Sequence, residues 1–247
     1  MRTAAPRSGI GSLARTLPAG GARRRVQHLV GLCATALLFT VSASAETDAG
    51  RPRYSDADWA LLPEWCIDTQ DGPFGGPNYS RDSPHGRSRS PRSDRWTAIF
   101  GRDFWHLHHF CRALHAERQA TMAVSPQERT VALGKAINDF RYVIETCTQA
   151  MPLMPEVYYR LGALYLRTGQ RALAGEAFAA ARTLKPDYWP AYTRWVDELI
   201  SLRLLENARS LLEEGLRQAP EQAQLLERRR RLDALKPSKA QAARGTD

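Results

Sequence analysis

The sequence predicts an all-α protein: a short series of stacked antiparallel helix hairpins, with a loop-rich N-terminal extension and a C-terminal capping helix. Three observations predict it. From Trp96 onward apolar residues recur at helical spacing, interrupted only by short breaks. No stretch alternates apolar and polar residues with period two, so strands are not expected. A pattern of residue sizes also recurs after 34 residues. The 247 residues, 43% hydrophobic and 25% charged, suffice for one domain with a core, plus tails.

Residues 1–45 read as a secretory signal peptide. Arg23, Arg24 and Arg25 form a positive region, an apolar run covers 29–41, and Ala43-Ser44-Ala45 is a small-x-small site. Cleavage is expected after Ala45, placing the mature chain in the periplasm or outside the cell. The apolar run is short for a permanent span, so no stable membrane span is expected after cleavage. The leader also carries much of the net charge of +9: it holds six arginines (Arg2, Arg7, Arg15, Arg23, Arg24, Arg25) and no acidic residue. What remains is 29 basic against 26 acidic residues. A persistent basic surface is therefore lacking, which argues against nucleic acid as a partner.

Residues 46–102 read as a loop-rich, partly disordered segment. Ser55 is placed to cap a short helix with Asp56 and Asp58 in its first turn, and Pro63 stops it. Residues 71–94 are dense in Gly, Pro, Ser and Arg, which predicts a long loop, with Arg87, Arg89, Arg92 and Arg95 as a solvated run. Helix breaks are then predicted at 121–128, 151–155, 168–170, 185–187, 202–205 and 219–220.

Tyr158, Leu161, Gly162 and Tyr165 are followed by Ala174, Phe178, Ala181 and Pro186. After 34 residues come Tyr192, Trp195, Val196, Leu199, Ala208, Leu212, Gly215 and Pro220. Small residues at Gly162 and Ala174 let two helices approach while the large residues interdigitate around them. Proline ends each unit. This pattern resembles the tetratricopeptide repeat at all eight signature positions of the first copy. The second departs at Val196 and Gly215. Residues 155–188 and 189–222 are read as two such repeats, and 103–154 as a degenerate one with Phe110, Cys111 and Leu114 on its first helix and Ala136, Phe140 and Val143 on its second. The capping helix covers 223–236 and a polar tail 237–247. The chain also resembles exported proteobacterial tetratricopeptide-repeat proteins of undefined role, through Leu62-Pro63-Glu64-Trp65-Cys66 with Thr69-Gln70, through His108-His109-Phe110-Cys111, and through the run from Leu184 to Pro190.

The resemblance implies a right-handed solenoid whose first helices line a concave groove. Carried onto this chain, the lining residues are Glu156, Tyr159, Ala163, Leu166 and Arg167, then Pro190, Thr193, Asp197, Ile200 and Ser201. The degenerate repeat adds Trp105, His108, Arg112, His115 and Ala116. Tyr159 and Ala163 stand where the family's carboxylate clamp needs Lys and Asn, which argues against capture of a free C-terminal carboxylate. The implied function is a protein-interaction scaffold that serves a cell-envelope process and binds a protein or peptide partner without a cofactor.

Cys66, Cys111 and Cys147 are the cysteines of the mature chain. Two readings compete for the first two. A Cys66–Cys111 disulfide would staple the N-terminal segment to the first hairpin, leaving Cys147 as a buried free thiol. Alternatively Cys66, His108, Cys111 and His115 could form a tetrahedral metal site, since His108, Cys111 and His115 share one helical face. An exported chain favours the disulfide, because oxidation competes with thiolate ligation. No phosphate-binding loop, nucleophile elbow, haem-attachment pair or zinc-protease motif is present. The protein therefore does not read as an enzyme. The alternative function is a metal-binding or catalytic envelope protein built on residues 105–115.

Overall fold

The computed structural model describes residues 54–72 and 91–235. The predicted signal peptide, the centre of the predicted loop with Arg87 and Arg89, and the predicted polar tail lie outside the described residues. Those described belong to one compact unit, Asp48–Asp247. They form nine α-helices: α1 (Asp56–Trp59), α2 (Pro91–Phe100), α3 (His108–Met122), α4 (Pro126–Thr146), α5 (Met154–Arg167), α6 (Arg171–Leu184), α7 (Trp189–Ser201), α8 (Leu205–Gln218) and α9 (Ala223–Ala234). Two 3-10 turns, Glu64–Asp68 and Gly101–His106, complete the described structure, and no strand occurs in it. No helix among the described residues is long and apolar enough to cross a membrane.

Local chemistry sets the helix ends. Ser55 caps α1 in a capping box closed by Asp58, and Ser125 caps α4 in one closed by Glu128. Helix α2 corrects one expectation. The predicted loop extends to residue 94, yet the helix already begins at Pro91, whose missing N–H and fixed φ suit a first helical position. Nor are Arg92 and Arg95 simply solvated. Arg92 donates to the wholly buried Asp68 carboxylate at 2.7 Å, and the Trp96 indole donates to the same carboxylate at 2.8 Å. Arg95 pairs with Glu64 and lies 3.9 Å over the Trp96 ring.

From α3 to α8, helices pack in consecutive pairs: α3 on α4, α5 on α6, α7 on α8, with α9 on both α7 and α8. One core joins the N-terminal segment to the helices α2–α5 around Trp65, Phe104, Phe110, Phe140 and Val157. A second joins α7, α8 and α9 around Tyr192, Val196, Leu212, Leu225 and Leu232. A smaller one between them holds Ala174, Phe178, Ala181 and Ala191. The small residues in the pattern are sterically required. A Cβ on Gly162 would stand 2.8 Å from the Phe178 ring, and one on Gly215 would stand 2.9 Å from the Tyr192 ring.

The α5–α6 and α7–α8 turns repeat each other bond for bond. Gln170 N–H donates to the Tyr165 carbonyl and Leu204 N–H to that of Leu199; Gly169 donates to Leu166, and Arg203 to Ile200. Thr168 donates to Leu164, and Leu202 to Glu198. Each pair of equivalents lies 34 residues apart, as do Gly169 (φ 77°) and Arg203 (φ 61°), which both adopt the left-handed conformation.

Candidate functional site

Candidate chemistry concentrates on the polar face of α3, and the N-terminal segment lies across it. The segment runs antiparallel to the helix: Asp58 meets Arg118 (3.2 Å) and His115 (3.4 Å), Cys66 meets Cys111, and Gln70 meets His108. Asp71 closes the path with a two-pronged pair to Arg112 at 2.5 and 2.8 Å, its carboxylate 1% exposed. Tyr54 packs edge-on against His115, their ring centroids 4.7 Å apart.

Cys66 and Cys111 form a disulfide with both residues buried, Cα atoms 5.9 Å apart. Cys147 is a buried free thiol, its pKa pushed up to about 12 by burial. The alternative ligand set of Cys66, His108, Cys111 and His115 is therefore not assembled. Both sulfurs are in a covalent bond, and ligation requires thiolates. The two imidazoles are also committed at both nitrogens. His108 Nδ1–H donates to the Trp105 carbonyl at 3.0 Å, and its Nε2 accepts from Gln70. His115 Nδ1–H faces Asp58, and its Nε2 accepts from Gln119 at 2.9 Å. Among the described residues, no group of three His, Cys, Asp or Glu side chains is placed to hold a metal.

Burial shifts both histidines. It pushes His108 down to about 2, aided by the charges of His109 and Arg112. Burial also lowers His115, against the opposing pull of Asp58. Both shifts favour the neutral ring, consistent with the tautomers their bonds require. Next to them, His109 Nδ1 pairs with Asp139 at 2.5 Å and its ring stacks on Tyr142 at 3.7 Å. His106 Nδ1 reaches the Tyr142 hydroxyl at 3.2 Å.

The remaining predicted lining residues divide by environment. Tyr159 packs against Phe178 and Tyr188, and Ala163 and Leu166 join the same core edge. Thr193, Ile200 and Ala116 are buried, and Thr193 donates to the Pro190 carbonyl. Trp105 is half-buried, edge-on to Phe104. Asp197 accepts from Arg228 and Arg231 of α9. Glu156 pairs with Arg160, which also reaches Glu117 on α3. Arg167 and Ser201 are exposed.

A cleft of about 710 Å³ opens between the N-terminal segment, α3 and the start of α5. Leu114, Trp65 and Leu153 give it an apolar floor, while Arg118, Glu117 and Arg160 supply charge. Of its lining, only Glu156 and His115 are among the predicted groove residues; Asp58, Leu62, Pro63, Trp65, Phe110 and Leu114 read as helix, motif or repeat positions. Arg160 escapes prediction, although Arg194 stands one period later, because it lies outside the signature and groove positions.

No family model matches the chain, and no curated protein matches it.

Proposed function

We propose that the protein is an exported tetratricopeptide-repeat scaffold, a short right-handed solenoid that binds a protein or peptide partner in a cell-envelope process. One observation carries the reading: the turn bonds of α5–α6 recur in α7–α8 after 34 residues, down to the left-handed residue. A backbone that repeats at the period of its side-chain pattern is what stacked hairpins require. Export through a signal peptide ending at Ala45 accords with a disulfide, which persists in an oxidising compartment.

The partner-facing surface of this reading runs along α5 and α7. The α3 positions are occupied by the chain's own N-terminal segment and Asp197 is engaged by α9, which leaves Arg167 and Ser201 as the exposed equivalents on the two helices. The test is affinity capture from envelope extracts with the tagged mature protein and its Arg167→Glu, Ser201→Arg double variant. The wild type should recover partners that the variant loses, with helical content unchanged. Recovery of the same set by both would exclude this surface.

A further inference from the structure

Arg160 and Arg194 stand 34 residues apart, on α5 and α7, yet their surroundings differ. Arg160 is held by two carboxylates: its Nε donates to Glu156 at 2.8 Å, and its Nη1 donates to Glu117 of α3 at 3.1 Å. Neither acid has a counterpart at Arg194. Pro190 stands one period after Glu156. In the register that aligns Trp105 and Ala116 with Glu156 and Arg167, the counterpart of Glu117 is Thr168. Its uncharged hydroxyl donates to the Leu164 and Tyr165 carbonyls.

The acids one turn further along α7 are also taken. Asp197 accepts from Arg228 at 2.9 Å and from Arg231 at 3.3 Å. Glu198 accepts from Arg171 at 2.7 Å. Arg160, Arg171, Arg228 and Arg231 thus each hold a carboxylate. Among the described residues Arg194 makes no hydrogen bond or ion pair, although it is only partly exposed. A guanidinium drawn from water without an acceptor is costly, and a carboxylate matches its geometry best. Arg194 shares a helical face with Ser201, seven residues on, and so borders the α5–α7 surface.

We propose that Arg194 captures an Asp or Glu side chain of the bound partner segment, the incoming carboxylate taking at α7 the place that Glu156 and Glu117 hold at α5. This rests on the scaffold reading and adds the chemistry that the partner must carry. A nucleic acid or an anionic bilayer fits poorly, because polyanions need a continuous basic surface and most arginines around α7 are already neutralised. One side-chain carboxylate needs only one free guanidinium.

The test is selection from a library of random dodecapeptides, displayed without a free C-terminus, against the mature protein and its Arg194→Gln variant. Peptides selected on the wild type should share one acidic position within a common motif. A selected peptide with that acid changed to Gln should bind the wild type about tenfold more weakly by fluorescence anisotropy. On Arg194→Gln the two peptides should bind alike. Arg230→Gln, an equal loss of charge at an exposed position of α9, should keep the tenfold difference. Circular dichroism should show the same helical content in all three proteins. A shared motif without an acidic position, or an acid preference that survives Arg194→Gln, would overturn the proposal and leave the scaffold reading standing. Absence of any shared motif would overturn it as well, while affinity capture from envelope extracts still decides the scaffold reading separately. Arg194-dependent binding to phosphatidylglycerol vesicles, run as a separate arm, would overturn it in favour of a lipid.

Discussion

His108 shows how a single buried base ties the fold to pH. Its two nitrogens satisfy the Trp105 carbonyl and the Gln70 amide only in the neutral form, and burial first, then the positive neighbours, press its pKa down to about 2. An unfolded histidine takes up its proton near pH ~6.5. Below that pH the unfolded chain binds a proton that the native chain refuses. The stabilisation is therefore full above about 6.5 and is lost as pH falls toward the folded value, at no more than about 1.4 kcal/mol per pH unit. His115 contributes with the same sign, since burial lowers it too. Urea denaturation of the wild type between about pH 7 and pH 5, above the carboxylate range, should show this slope. His108→Gln should flatten it while lowering stability at neutral pH. An unchanged slope in the variant would mean that His108 takes up its proton in the native state as readily as in the unfolded chain.

The turns between helices show which features of the fold are legible in the sequence. Thr168-Gly169-Gln170 marks the α5–α6 turn, and the predicted breaks coincide with the ends of α5 to α8 because periodicity, proline and small residues act locally. The contacts of the N-terminal segment carry no such signal. Asp71 and Arg112 are 41 residues apart, and nothing in either neighbourhood marks the other. The start of α2 is hidden by a composition that favours loops; it is fixed by Asp68, which receives both Arg92 and Trp96. The 34-residue offset also identifies a substitution. Arg203 holds the left-handed conformation that glycine holds at 169, at a cost of roughly 1–2 kcal/mol for a side chain, partly offset by the greater unfolded-state freedom of glycine. Arg203→Gly should therefore stabilise by about 0.5–1 kcal/mol, read as a higher urea midpoint at constant m-value. Destabilisation would show that Arg203 makes a contact worth more than its backbone strain.

At the scale of the molecule, the disulfide divides the structure into parts with different fates. Cys66 and Cys111 close a separation of 45 residues, which on the chain-entropy model stabilises by about 3–4 kcal/mol. The bond lies inside the core that joins the N-terminal segment to α2–α5. The α7–α9 core around Tyr192, Leu212 and Leu225 shares no residue with it, and only the small cluster of Phe178 and Ala191 stands between. When units touch mainly their neighbours, damage at one end propagates weakly to the other. Replacing both residues, Cys66→Ala with Cys111→Ala, should thus cost about 3–4 kcal/mol, borne unevenly. Amide hydrogen exchange should accelerate across α1, the Glu64–Asp68 turn and α3, where Asp58, Gln70 and Asp71 lose their tether, while the amides of α7, α8 and α9 retain their protection. The intact mass of alkylated chain 46–247, which lacks Cys33, should show one bond and one modified thiol, that of Cys147, once the chain is denatured without reductant. Uniform acceleration from α3 to α9 in the variant would show instead that the helix pairs open as a single cooperative unit, with the stability of the last pair resting on the tether of the first.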